Sequence, residues 1–334
     1  MSVRRGEAMT ARELARVLGV SQSAVSRAFT PGASISPDMR ERILAAADKH
    51  GYRPNVIASI LSTRRSNIVA ILISDLQNPF YFGLIEKLTR ALQAVGQQSL
   101  LFNVTPGSDV GRQLVALRQY HVDAIIVVSA TVLSGATLAR ATEGRRAVLV
   151  NRLDDGAGLT SVCCDNVAGA RAIADHFYAL GRRRAAYVAG LPNTSTNLER
   201  RHSFVGRLAE LGMVLTRVVD GGAYTYDAGR RAALEIARET QTDAIFFAND
   251  ILAAGGLDAL RDEAGLSVPG EIAVAGFDDI AMADWSHYSL TTYRQPIDEM
   301  VAIAIREVMA PAAERATVAT HRLAGELVVR RSAR

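Results

Sequence analysis

The sequence predicts an α/β protein of two parallel-sheet lobes, preceded by a small all-helical module. Three observations predict it. From Ile68 onward, short apolar runs alternate with amphipathic helices, the pattern of parallel strands covered on both faces. Before Ile68 the pattern is different, with short capped helices and no strand. The charge is segregated in the same way. Residues 1–66 carry 11 Lys or Arg against 5 Asp or Glu, a net of +6, whereas the remainder carries 27 against 29, a net of −2. A basic head on a near-neutral body is the charge layout of a nucleic-acid-binding module joined to a unit with another task.

The module reads in order. Thr10 caps a first helix, Ala11 to Leu18, with Leu14, Val17 and Leu18 inward. Gly19 ends it, and Ser21 caps a second, shorter helix running toward Phe29. Val20, Ala24, Val25 and Ala28 fall at helical spacing and are expected inward. Gln22, Ser23, Ser26 and Arg27 form the opposite stripe, polar, basic at one end and free of acids. Helix, glycine turn and helix with such a face is the layout of a helix-turn-helix, whose second helix enters the DNA major groove. An ordinary helical hairpin is the alternative for these residues taken alone, and the basic balance of the head weighs against it. Ser36-Pro37-Asp38 starts a third helix, with Met39, Ile43, Leu44 and Ala47 inward and His50-Gly51 at its end. Residues 56–61 (Val-Ile-Ala-Ser-Ile-Leu) form one or two helical turns, too short to be stable alone, and Arg64 to Ser66 are a linker.

The alternation then begins. Strands are expected at Ile68–Ile73, Leu100–Phe102, Ala124–Val128, Ala147–Val150, Ala185–Ala189, Val214–Val219, Ala244–Phe247 and Ile272–Ala275. Helices are expected at Phe80–Val95, Asp109–Tyr120, Leu133–Glu143, Asn166–Leu180, Thr196–Leu211, Tyr226–Glu239 and Ile251–Ala264. So many parallel strands exceed one compact sheet, so two lobes are expected, with a ligand cleft at the carboxyl ends of their strands.

Several function classes are excluded. There is no Gly-x-Gly-x-x-Gly, no phosphate loop ending in Gly-Lys-Ser/Thr and no Gly-x-Ser-x-Gly. The six histidines are scattered without metal-ligand spacing. An α/β enzyme is therefore a distant alternative, and no cofactor or metal is expected. The only cysteines, Cys163 and Cys164, are adjacent and form no disulfide framework. Arg4, Arg5 and Glu7 lead into a polar helix rather than an apolar run, and no stretch approaches a membrane span, so a cytoplasmic protein is expected. A solute-binding protein for a transporter would need an export signal and no basic head.

Eight fragments occur in one order along the chain. They are Gly19-Val20-Ser21 through Val25-Ser26-Arg27, Gly51-Tyr52-Arg53-Pro54-Asn55 through Ala58 and Leu61, Asn78-Pro79-Phe80, and Asp165-Asn166 with Gly169-Ala170. Gly181-Arg182-Arg183, Ala248-Asn249-Asp250, Gly276-Phe277-Asp278-Asp279 and Glu326-Leu327-Val328-Val329-Arg330 follow. From about Thr10 to Ser332 the chain thereby resembles the lactose-repressor and galactose-repressor (LacI/GalR) family of bacterial transcription regulators. The resemblance implies a helix-turn-helix domain over residues 1–53 and a hinge helix and linker over 54–66. It implies a periplasmic-binding-protein-like effector-binding and dimerisation core over 67–334. The N-lobe is expected at about 67–165 and 295–325, the C-lobe at about 166–294 and 326–334, with crossings near Asp165, Arg294 and Gly325.

The resemblance also implies roles. Gln22, Ser23 and Arg27 match the family's base-reading positions: Gln bonds an adenine edge and Arg grips a guanine. Ser21 and Ser26 are expected on phosphates. Leu61 matches the leucine wedged between central base pairs, with Asn55 and Ala58 lining the same minor groove; ordinary packing of a short helix is the other account of Leu61. Asn151, Arg200, Tyr224, Asn249, Asp278 and Gln295 match effector contacts and suit a small polyhydroxylated molecule, with a structural salt bridge the other account of Arg200 and Asp278. Asp165 and Asp279 are expected to cap helices or brace the hinge. Thr30, Ala24 and Ser203 depart from the family's usual asparagine, threonine and glycine, and residues 193–197 are irregular. The expected protein is a homodimeric regulator, most simply a repressor, binding a near-palindromic double-stranded operator under control of a sugar-like effector. Control by a protein partner or a purine-like corepressor remains the alternative. The chain ends at Arg334 with no room for a tetramerising helix, so a dimer is expected.

Overall fold

The computed structural model describes residues 9–30, 32–53, 66–74, 76–104, 117, 119–128, 135–142, 144–154, 156–239, 241–310 and 318–334. The chain divides into two compact units that meet between Ser66 and Asn67. The expected hinge helix, with Asn55, Ala58 and Leu61, lies outside the described residues, as does nearly all of the expected helix Asp109–Tyr120.

The first unit holds α1 (Ala11–Leu18), α2 (Gln22–Ala28) and α3 (Pro37–Lys49). Each starts on a cap that its sequence supplies. Thr10 and Glu13 form a reciprocal capping box on α1, and the hydroxyls of Ser21 and Ser36 accept from the amides of Ala24 and Met39. Gly19 closes α1 at φ 65°, a left-handed conformation that suits glycine. Leu14, Val25 and Ile43 are fully buried at the centre, with Ala28, Ala47 and Tyr52 around them. Arg40 ties α3 to the preceding loop by donating to the carbonyls of Ala28, Thr30 and Ala33. Two expected inward residues face solvent instead: Val17 is 56% exposed and Leu44 40%. The seam between three short helices is narrow. Ala15 takes the inner position on α1 beside Leu14, so Val17 rotates out of the contact.

The second unit carries two six-stranded sheets. The first has the order β11-β5-β4-β3-β1-β2, built from β1 (Ile68–Ile73), β2 (Gln98–Asn103), β3 (Ala124–Val128), β4 (Arg146–Val150), β5 (Thr160–Cys164) and β11 (Thr320–Leu323). The second has the order β12-β10-β9-β8-β6-β7, built from β6 (Arg184–Ala189), β7 (Val214–Asp220), β8 (Ala244–Phe247), β9 (Ala273–Asp278), β10 (Thr291–Arg294) and β12 (Glu326–Val328). Among the described residues every pairing is parallel except β10 with β12. Helices α4 (Pro79–Ala94), α5 (Gly135–Thr142) and α10 (Ile297–Met309) belong to the first lobe. Helices α6 (Asn166–Ala179), α7 (Ser195–Glu210), α8 (Tyr226–Glu239) and α9 (Asp250–Asp258) belong to the second. The chain passes between lobes after β5, after β10 and between β11 and β12.

The sequence reading missed β5, β10, β11, β12 and α10. The missed strands are short and rich in polar residues; Thr291 and Thr292 of β10 are nonetheless fully buried, their hydroxyls donating to the Arg330 carbonyl and the Asp250 carboxylate. The expected helix Ile251–Ala264 is α9 followed by a π-helical turn, Ala259–Glu263. In the second lobe α8 and α9 touch backbone to backbone. A Cβ on Gly229 would lie 1.9 Å from the Leu252 carbonyl oxygen, so only glycine fits this contact.

Candidate functional site

Two sites emerge, one in each unit. On α2, Ser21, Gln22, Ser23, Ser26 and Arg27 are all exposed, while Val25 and Ala28 anchor the opposite side in the core. The helix carries no acid. The Ser21 hydroxyl is engaged as the cap and lies 2.9 Å from Ser23 Oγ, and Arg27 Nε donates to the Ser23 carbonyl at 3.3 Å. Gln22 and the guanidinium terminus of Arg27 thus project from a short, rigidly based helix with a net positive end.

The second site gathers buried polar side chains at the carboxyl ends of strands. Arg200, on α7, is 4% exposed. Its Nε donates to Asn166 Oδ1 at 2.9 Å, its Nη1 donates to the Ala248 carbonyl at 2.6 Å, and its Nη2 stands 3.6 Å from Asp278 Oδ1. The guanidinium also lies flat over the Phe277 ring, 3.6 Å from the centroid. Asp278 ends β9 in a left-handed conformation, φ 119°, and accepts from Gln295 Nε2 at 2.7 Å. Burial pushes its carboxyl up to about 6, against the opposing pull of Arg200 and the Gln295 bond. Asp250 beneath it is pushed well above the usual range by burial and by Asp278; its oxygens accept from the Thr292 hydroxyl and the Ile280 amide.

Asn249 caps α9, its Oδ1 accepting from the Leu252 amide at 3.2 Å. Asn151 follows β4 at φ 57°, and its Nδ2 donates to the Tyr81 hydroxyl at 3.2 Å. The Tyr224 hydroxyl bonds Thr194 at 2.7 Å, and its ring lies against the backbone of Gly190, where a Cβ would come within 2.3 Å of the ring. Arg200, Asp278 and Gln295 are in direct contact, and Asn249 adjoins them through Ala248. Asn151 comes from the other lobe, and Tyr224 from the loop after β7.

Three buried polar atoms of this set have no partner among the described residues: Asn151 Oδ1, Asn249 Nδ2 and Gln295 Oε1. Two of these orientations are forced. Asn249 must turn Oδ1 to the helix amide, which leaves its NH2 free, and Gln295 must turn its NH2 to a carboxylate, which leaves its oxygen free. Sequence reasoning missed Tyr81, Asn166 and Thr194. Asn166 is fully buried beside Asp165, and its amide bridges Arg200 to Glu199; in the sequence it reads only as the first residue of a helix. Asp165 caps α6 by accepting from the Ala168 amide, and Asp279 pairs with Arg294 and Arg330. The Arg200–Asp278 pair is present as a buried ion pair, so the salt-bridge account and the site account describe the same two residues. Among the described residues no group of His, Cys, Asp or Glu is arranged to hold a metal, and no helix is long and apolar enough to cross a membrane.

Residues 10–55 match the model of bacterial regulatory proteins of the lacI family, and residues 174–333 match a periplasmic binding protein-like domain. The transcriptional regulator GalS of Salmonella typhimurium is 32% identical over 328 residues, covering 97% of this chain and 96% of the relative. A lac repressor dimer bound to operator and the anti-inducer ONPF superposes with a TM-score of 0.88 at 21% identity, covering 98% of this chain and 99% of that one. The transcriptional regulator CelR in complex with cellobiose superposes with a TM-score of 0.70 at 28% identity, covering 97% and 99%.

Proposed function

This chain belongs to the lacI family of DNA-binding transcriptional regulators, and from that premise we propose that it is a cytoplasmic homodimeric repressor controlled by a neutral sugar. The observation that carries the effector class is the charge balance of the cleft. Arg200 and Asp278 neutralise each other, so the buried site asks for no net charge from its ligand. What it leaves unsatisfied is one amide donor, on Asn249, and two amide acceptors, on Asn151 and Gln295. A hydroxyl both donates and accepts, so several hydroxyls on one ring satisfy all three, and a ring face packs on Tyr224. The cellobiose bound by CelR is a ligand of this chemistry.

On DNA, the α2 helices of two protomers read the half-sites of a near-palindrome. Gln22 bonds an adenine edge, Arg27 grips a guanine, Ser23 lies at the same base edges, and Ser21 and Ser26 hold phosphates. Leu61 wedges between the central base pairs, with Asn55 and Ala58 in the same minor groove. Effector binding changes operator affinity through its different affinity for two lobe arrangements.

A thermal-shift screen of neutral mono- and disaccharides, sugar acids, purines and nucleosides tests the effector class. A ligand at a hundred times its Kd stabilises by about 2.7 kcal/mol. The expected result is a shift with a neutral sugar that disappears in Asn249→Ala. A shift confined to sugar acids or purines overturns the neutral-sugar reading, and no shift at all turns it toward a protein partner. In a separate operator-binding assay, Leu61→Ala is expected to lose at least about tenfold in affinity; unchanged affinity removes the wedge.

A further inference from the structure

One polar path leads out of the cleft and crosses between lobes. Asn166 is fully buried, and both ends of its amide are engaged. Its Oδ1 accepts from Arg200 Nε at 2.9 Å, and its Nδ2 donates to Glu199 Oε2 at 3.0 Å. The other carboxylate oxygen of Glu199 pairs with Arg322 Nη2 at 2.5 Å. Glu199 lies on α7 of the second lobe, whereas Arg322 lies on β11, the edge strand of the first lobe's sheet. Close by, the Leu153 amide of the first lobe donates to Ser195 Oγ at the start of α7, at 3.1 Å.

We propose that Glu199 and Arg322 are positioning residues of the effector site: the ion pair between the lobes, beside the crossing at Asp165, holds Asn166, and through it Arg200, in the ligand-binding geometry only when the lobes are closed. The physical reason is the asymmetry of an amide. Asn166 presents its oxygen to Arg200 because its NH2 has a carboxylate to face on the other side. Without that carboxylate the Asn166 NH2 is buried with no acceptor, and Arg200 Nε is left as the one bond that holds the amide in place. Arg322 in turn fixes the Glu199 carboxylate, whose side chain is 15% exposed, by a charge-assisted bond from the opposite lobe. Opening the lobes withdraws Arg322 and releases this chain of contacts in order. Ligand affinity and lobe angle are then set by the same ion pair, and by linkage a ligand that needs Arg200 in place favours closure. The proposal rests on the cleft being the effector site.

The test uses the full-length protein without ligand. Hydrogen exchange at the Leu153 amide reads closure, and the Arg200 Nε–H resonance, assigned by its loss in Arg200→Lys, reads the position of the guanidinium. In Glu199→Gln and in Arg322→Gln, exchange at Leu153 is expected to rise about fivefold or more, the lower end of usual site-to-site coupling, and the Arg200 resonance to shift. Arg322→Lys keeps the charge and is expected to retain most of the protection. Exchange in β6 stays unchanged, whereas general destabilisation raises it together with Leu153. Wild-type exchange at Leu153 and an unmoved Arg200 signal in both Gln variants overturn the proposal. Neither readout needs a ligand, so failure of the sugar reading leaves this test intact, and failure here leaves the sugar screen standing.

Discussion

The α2 face and the cleft use polar side chains in opposite settings. Gln22, Ser23, Ser26 and Arg27 stand in solvent on one helix of seven residues. Arg200, Asn249, Asp278 and Gln295 are at most 4% exposed and come from four separate segments of the chain. The difference teaches where function and stability separate. An exposed face contributes almost nothing to the fold, so in the proposed role its residues are free to answer to DNA alone. A buried polar site is part of the core, and each of its members supports the others as well as the proposed ligand.

The largest expected effect breaks the comparison at its strongest point. Arg200→Met leaves the Asp278 carboxylate and the Asn166 oxygen buried without their cation. Removing one partner of a buried pair costs about 3–5 kcal/mol, so thermal denaturation of the core is expected to show a large drop in Tm together with loss of sugar binding. An unchanged Tm means that the cleft is as independent of the fold as the α2 face.

Arg27→Ala is the matched change on the other side. In its proposed base-reading role, loss of Arg27 is expected to cost about 1–3 kcal/mol at the operator, read by fluorescence anisotropy at fixed salt, while the melting curve superposes on wild type. A fall in Tm with it assigns Arg27 a structural role.

The pH response sharpens the contrast further. Burial raises the Asp278 carboxyl in the folded protein from its ordinary 3.8 to about 6. Over that interval the folded state binds more protons than the unfolded chain, so this group's contribution to stability falls as pH rises through the window and is recovered on acidification. The core Tm is expected to rise between pH 7 and pH 5, and Asp278→Asn to flatten that rise. The α2 face has no carboxylate to titrate. A core Tm equally flat in wild type and variant removes the distinction.

The smallest effect lies in the module itself. Thr10→Ala removes one side of the capping box on α1 and is expected to cost the module about 1 kcal/mol. Circular dichroism of the helical transition checks it, with operator affinity reduced only through the unfolded fraction.

These settings explain what could be read in the chain. The caps Thr10, Ser21 and Ser36 and the strands Ile68–Ile73, Ala124–Val128 and Ala244–Phe247 follow from local chemistry: a hydroxyl before a helix, or an apolar run long enough to be buried on both faces. Strands β5 and β10 were illegible because their buried threonine and serine look like loop until their partners are known; Ser161, fully buried, bonds the Asp154 amide, and Thr292 bonds Asp250. Val17 and Leu44 have the right type and roughly the right spacing for the core, but a three-helix seam is narrower than the apolar stripe. In the cleft, single residues were legible through family motifs, but their partners were not. Asn166 lies in the fragment Asp165-Asn166 but reads there only as the start of a helix, and Tyr81 and Glu199 carry no motif of their own.

The sequence by itself determined the class of the molecule. Capped short helices with a basic, acid-free face, then repeated apolar strands and amphipathic helices, leave few folds in which every local preference agrees. Only the tertiary structure decided which polar side chains meet. Asn166, Arg200, Ala248, Asp278, Gln295 and Arg322 are spread over 157 positions of chain, and nothing local to any of them specifies the others. Burial does: once the two sheets bring these groups out of water, each donor must find an acceptor, and the pairs that satisfy this rule form the site.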